Sequence, residues 1–229
     1  MSKKTIVISL GGSLVAPREG VIDYQFLKKF KQLITKHLKR GTRFIIVVGG
    51  GKTARAYQAA ARRVGQLTAE DIDWIGIHST RLNAHLLRTI FRASAHAKIV
   101  TNPNETEKFR EPVLIGAGWR PGWSTDYVAA RLATGYGAVE VVNLSNIDYV
   151  YSRDPRQYRD AKKIIHSDWV QFKKIVGTKW TPGANLPFDP VASRWASQHR
   201  LRVLITNGKK LAALDRYLSG GRFSGTVIE

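Results

Sequence analysis

The chain of 229 residues contains no cysteine, which excludes disulfides, cysteine-ligated zinc, iron–sulfur clusters and thiol catalysis together. No apolar run approaches the roughly 18 residues that a membrane-crossing helix needs. The start, Met1-Ser2-Lys3-Lys4 followed by Thr5 to Leu10, faintly mimics a signal peptide. Its apolar run is too short and Gly11-Gly12 breaks it, so the expectation is a cytoplasmic protein opening on a β-strand. Acidic residues are also scarce. Seventeen Asp and Glu face 37 Lys and Arg, giving a net charge of +20. The excess is spread out: +12 over residues 1–115 (20 basic, 8 acidic) and +8 over residues 116–229 (17 basic, 9 acidic). A basic surface concentrates polyanions such as nucleotides, nucleic acid or anionic lipid, and a uniformly basic proteome would produce it equally well. Zinc-finger, helix-turn-helix and RNA-binding aromatic patterns are all missing, so nucleic acid is possible but not required.

What is present is an alternation of strand-length apolar runs with amphipathic stretches. Residues 5–10, 44–48, 99–100, 113–115, 139–144, 203–205 and 226–228 read as strands. The run Phe44 to Val48 shows no polar alternation, as in a sheet covered on both faces. Asp23 suits a helix N-cap, with Phe26, Leu27, Phe30, Leu33, Ile34 and Leu38 on one face and Gly41 closing the helix. Further helices are expected over 53–63, 71–94, 126–134, 168–176, 189–198 and 211–218, with a polar loop over 146–163. The pattern predicts an α/β fold with a largely parallel sheet between two helical layers, in a single domain spanning 1–229. Ligands of such sheets bind beyond the carboxyl ends of the strands.

Glycine clusters stand at those ends: Gly11-Gly12, Gly49-Gly50-Gly51, and Gly116 with Gly118. Exposed N–H groups with a helix start behind them make an anion cradle, and three at one sheet edge suggest a polyphosphate site. Gly51-Lys52-Thr53 is not a Walker motif, because Ile46 occupies the place of its first glycine. Lys52 and Arg55 still lie about one helical turn apart at a helix start, able to face one phosphate, although ordinary surface cations would look the same. Ser124 and Thr125 are helix-capping types in the turn Pro121 to Asp126. Asp148 and Asp154 flank Tyr151 in a polar loop, where carboxylates can hold a ribose or a metal or simply start turns. The six histidines show no metal-ligand spacing, no GxSxG elbow exists, and no GxGxxG follows a strand.

Six segments in order resemble the amino-acid kinase superfamily: Ile8-Ser9-Leu10-Gly11-Gly12-Ser13, Val48 to Arg55, Asp73 to Ile77, Pro121 to Asp126, Asn146 to Pro155, and Phe188-Asp189-Pro190. Within it the chain resembles the UMP kinases, closer to the archaeal than to the common bacterial type. The resemblance implies an α/β/α sandwich, often a homohexamer, that transfers the γ-phosphate of ATP to UMP with Mg²⁺ carried by ATP and no protein metal site. The UMP part would span about 1–135 and the ATP part about 136–229. It would place Gly50, Asp73, Trp119, Arg120, Pro121, Gly122, Trp123, Ser124 and Thr125 on UMP. Ser9, Leu10, Gly11, Gly12, Ser13, Gly51, Arg55, Ser145, Asn146, Tyr151 and Asp154 would line ATP. Arg55, Lys52, Gly12 and Asp189 would serve catalysis.

Three departures stand out. Ser9 stands where many members have a lysine, Tyr149 replaces the usual glycine after Asp148, and Pro182-Gly183-Ala184-Asn185 is unlike most members. A sister kinase acting on acetylglutamate, carbamate or isopentenyl phosphate, and a non-catalytic nucleotide or nucleic-acid regulator, remain open alternatives. Phosphoryl transfer between two polyanions needs positioning and charge neutralisation rather than a protein nucleophile, in keeping with the residues available.

Overall fold

The computed structural model describes residues 4–178 and 186–229; the Pro182 to Asn185 segment therefore lies outside the described residues. Seven strands form one sheet: β1 (Thr5–Leu10), β2 (Arg43–Val48), β3 (Val113–Gly116), β4 (Glu140–Ser145), β7 (His166–Ser167), β8 (Arg202–Asn207) and β9 (Thr226–Ile228). Their order is β3-β2-β1-β4-β8-β9-β7. All neighbours run parallel except β8 and β9. Two-residue strands β5 (Val150–Tyr151) and β6 (Lys163–Ile164) pair antiparallel inside the expected polar loop.

Alternate residues of each strand feed two cores. Ile6, Ile8 and Leu10 of β1 face the layer of α1 (Gly12–Val15), α2 (Tyr24–Leu38), α4 (Ala69–Ile90) and α8 (Leu211–Leu218). Val7 faces the layer of α5 (Thr125–Gly135), α6 (Trp169–Val176) and α7 (Pro190–Gln198). The expected three layers are therefore present, and α3 (Gly51–Val64) packs outside against α4, burying only Ala54. Asp23 caps α2, accepting from the Phe26 N–H at 2.9 Å, and Phe30 of that helix is fully buried. Among the described residues no helix is long and apolar enough to cross a membrane.

Two expectations need correction. The segment 99–100 forms no strand: only isolated bridges Ala95–Val113 and Val100–Gly116 occur. Five steps on one side oppose three on the other, so the chain between the bridges loops out and a continuous ladder cannot form. The helix expected over 71–94 runs Ala69–Ile90 instead, because Thr68 and Asp71 form a reciprocal capping box that fixes its start earlier.

The strand order reverses between β1 and β4, since the chain builds β2 and β3 on one side of β1 and returns to build β4 on the other. A crevice opens at that switch point, beyond the carboxyl ends of both strands.

Candidate active site

A cleft of about 330 Å³ occupies this crevice. Its floor is made where two glycine turns meet. Gly11 N–H donates to Leu144 O at 2.8 Å and Gly49 N–H donates to Leu10 O at 2.9 Å, which extends the sheet pairing into the turns. Gly12 then lies so close to the triglycine turn that a Cβ on it would sit 2.2 Å from Gly51 N and 2.5 Å from Gly49 C. Only glycine fits there. Asn83 of α4 donates its side-chain amide to Gly49 O at 2.8 Å and Gly50 O at 3.3 Å. This grip holds the carbonyls of the turn, and planar trans peptides send the following N–H groups the opposite way.

Arg55 is the only Lys or Arg among the described residues that line the cleft. One turn into α3, it carries its charge behind the Gly50-Gly51 turn. Lys52 is exposed and does not line the cleft.

Opposite lies a carboxyl pair. Asp126, on the first turn of α5, accepts from Ser9 Oγ at 2.7 Å and from Asn143 Nδ2 at 3.1 Å, both at Oδ1. Its Oδ2 accepts from the Asp189 N–H at 3.3 Å. Partly open to the cleft and otherwise enclosed, Asp126 is pushed by burial from 3.8 up to about 7; the nearby Asp189 charge adds to the rise and the Ser9 hydrogen bond opposes it. Asp189 caps α7 through Oδ1, which accepts from the Ala192 N–H at 2.6 Å. Its Oδ2 is buried and has no hydrogen-bond partner among the described residues, and burial holds this carboxyl above the usual range as well. The Ser124 hydroxyl, near enough to favour the charged form, makes no well-aligned hydrogen bond to Oδ2.

Asp73 of α4 forms the far wall. Its Oδ2 accepts from the Gly122 N–H at 2.9 Å, tying helix to loop, while burial raises its pKa. Trp123 stands beside it in the lining, with its ring 4.2 Å from that of Tyr127.

Of the residues singled out in the sequence, Ser9, Gly11, Gly12, Ser13, Gly50, Gly51, Arg55, Asp73, Trp123, Ser124, Thr125, Ser145, Asn146 and Asp189 come together around this one cleft. Leu10 is instead part of the core, as its place within β1 dictates. Trp119, Arg120, Pro121, Gly122, Tyr151 and Asp154 lie beyond the lining. Asp154 is engaged by Arg156, whose N–H donates at 2.9 Å, and Asp148 is paired with Lys210 at 2.8 Å. Asp126, Asn143, Thr80 and Gln58 line the cleft without having been singled out. Asp126 had a signal, since it directly follows the capping pair Ser124-Thr125; Asn143 sits inside an apolar strand and Thr80 inside a long helix, with no local signal.

The Amino acid kinase family profile matches residues 4–207. The chain belongs to the amino acid kinase family. It is 35% identical over 227 residues to a uridylate kinase of Methanospirillum hungatei, covering 98% of this chain and 94% of that one. It is 34% identical to a uridylate kinase of Methanocaldococcus jannaschii, covering 98% and 99% of the two chains. Among solved structures, uridylate kinase from Archaeoglobus fulgidus superposes with a TM-score of 0.80 at 30% identity, covering 98% of this chain and 99% of that one.

Proposed function

We propose that the protein is a kinase that transfers the γ-phosphate of ATP to UMP, giving UDP and ADP. The observation that carries this is the meeting of three elements in one cleft: the Gly12–Gly51 contact, Arg55 as the one Lys or Arg among the described lining residues, and a carboxylate at Asp73. The uridylate kinases that align with nearly the whole chain support the choice of acceptor.

The UMP phosphate is already an anion, so the residues need to align two polyanions and neutralise the charge between them. The N–H groups of the glycine turns would receive the transferred phosphate, and Arg55 would present a planar fork to two of its oxygens. Asp73 retains Oδ1 for the ribose hydroxyls while Oδ2 holds the loop. Ser145 and Asn146, at the end of β4, would contact ATP, with Tyr151 and Asp154 farther along the donor side. This reading puts the acceptor in the part spanning about 1–135 and the donor in the part spanning about 136–229. The homohexameric state is what the resemblance implies.

Mg²⁺ would arrive with ATP and shield the phosphate charge. Asp126 and Asp189 offer hard carboxylate oxygens in the cleft, one of them unpartnered. Among the described residues no group of three or more Asp, Glu, His or Cys gathers to hold a metal. That donor set fits an ion which keeps phosphate and water ligands.

The test is ADP release from ATP with each of the four nucleoside monophosphates. UMP should exceed CMP by at least about a hundredfold in kcat/KM, because cytosine reverses donor and acceptor at two ring positions and leaves site groups unpaired. Comparable rates with CMP would refute the choice of UMP, and no rate with any monophosphate would refute the kinase reading.

A further inference from the structure

The loop that follows β3 is stapled to α4 at three places. Thr80 Oγ1 accepts from the Gly118 N–H at 2.7 Å and itself donates to Ile77 O at 2.7 Å. Arg81 spreads its guanidinium over two carbonyls, with Nη2 2.9 Å from Trp119 O and Nε 3.4 Å from Gly118 O. Asp73, two turns earlier on the same helix, takes the Gly122 N–H. Thus Thr80 and Arg81 hold the start of the arch and Asp73 holds its end. The next residues, Trp123 and Ser124, enter the lining of the cleft. Gly122 has φ +85°, so the arch turns sharply at the anchor that Asp73 holds.

We infer that Arg81 is a positioning residue for the acceptor nucleotide, acting through the 118–122 arch without touching the nucleotide; this rests on the reading of the cleft as a UMP site. Arg81 does not line the cleft. Its position decides where Trp123 and Ser124 stand. Two successive loop carbonyls share one rigid fork, which fixes their orientations relative to each other. Without the fork the arch keeps only Thr80 at its base and Asp73 at its tip. Asp73 is also the carboxylate that meets the ribose, so a loosened arch competes with the nucleotide for the same side chain. The loss therefore falls on acceptor binding. At saturating UMP the nucleotide itself orders the arch, and turnover recovers. Both carbonyls belong to the part of the chain read as the acceptor side, so ATP binding should be untouched.

The experiment is calorimetric titration of UMP, and separately of a nonhydrolysable ATP analogue, into wild type, Arg81→Lys and Arg81→Gln, with kcat and KM for both substrates. Arg81→Gln should weaken UMP at least about tenfold, the scale of one lost charge-assisted hydrogen bond. Arg81→Lys, able to reach one carbonyl but not both, should fall between. The kcat should stay within about threefold and the analogue should bind all three proteins alike. If UMP binds Arg81→Gln as tightly as wild type, or if UMP and the analogue weaken together, the inference is overturned. If wild type itself fails to bind UMP, the acceptor reading falls instead.

Discussion

Asp126→Asn should stabilise the protein at alkaline pH while damaging catalysis. The wild-type carboxyl moves from 3.8 to about 7 on folding, chiefly because burial disfavours its charge. A group raised in this way contributes stability that is complete below its unfolded pKa and lost as pH climbs to the folded value. At pH 8 the ionised Asp126 therefore costs up to roughly 4 kcal/mol, and at pH 4 under about 1 kcal/mol. Asparagine removes that cost. It also accepts at one oxygen where the carboxylate accepts three hydrogen bonds, from Ser9, Asn143 and the Asp189 N–H. Water reaches the carboxylate from the cleft, which reduces the charge penalty further. The net gain expected at pH 8 is about 2 kcal/mol, or a Tm increase of about 4–8 °C for a chain of this size.

Thermal scans of both proteins at pH 5, 6.5 and 8, at constant ionic strength, measure this. The Tm difference should grow with pH and flatten above about 7. A difference that does not change with pH, or a variant less stable at pH 8 than at pH 5 relative to wild type, would refute the assignment of a raised, charge-penalised Asp126. A kinase that keeps such a cost at working pH is spending stability on its active site.

Gly12→Ala should abolish turnover and lower stability by at least about 1–3 kcal/mol, since the added methyl meets backbone atoms that cannot move aside; a normal Tm with normal activity would show the two glycine turns to be separable. Arg55→Ala should lower kcat at least about a hundredfold, the effect of losing one transition-state donor, whereas Lys52→Ala should stay within about threefold because its exposed side chain does not line the cleft; equal effects would contradict this geometry. Asp215→Ala should cost about 1–3 kcal/mol at pH 7 by stripping Lys36 (2.7 Å) and the buried His37 (2.8 Å) of their partner. The depressed pKa of Asp215 means that this stability is present above the ordinary carboxylate value and disappears as pH falls through the folded value, so Tm curves of variant and wild type should merge in acid.

Much of the fold was legible because its signals are local. The uninterrupted run Phe44 to Val48 announces a strand covered on both faces, and Asp23, Ser124, Asp168 and Asp189 each accept a hydrogen bond at the helix start they mark. The 99–100 segment reads as a strand because two β-branched residues look like one wherever they occur, while its two bridges to β3 are two residues out of step with one another and nothing in the sequence shows it. The glycine turns were legible as types and illegible as a contact. Nothing local says that Gly12 must touch Gly49 and Gly51, because that follows from β1 and β2 being neighbours in the sheet. Arg81 left no trace either, since its partners are backbone carbonyls and any residue can supply those.

Ser9 and Asp126 account for one another. In the superfamily that this chain resembles, a lysine commonly stands at the position of Ser9, and a cation there would pair with a carboxylate at Asp126. Here Ser9 donates one neutral hydrogen bond, which lowers the carboxyl pKa less than burial raises it. A carboxylate without a cationic partner facing the glycine turns repels a phosphate, and that repulsion is strong where water is excluded. Raising Asp126 to about 7 relieves part of it, since the raised pKa keeps more of the carboxyl neutral than an ordinary aspartate would be. Arg55, alone among the described lining residues, supplies fixed positive charge, and it does so from the α3 side. On the proposed reading the carboxyl pair thus favours a polyanion that brings its own cation over a bare one. On the proposed reading, this asymmetry explains how a chain with a net charge of +20 can hold two carboxyls in the cleft. The basic surface draws polyanions in generally, and on that reading the carboxyl pair admits those whose charge is already shielded.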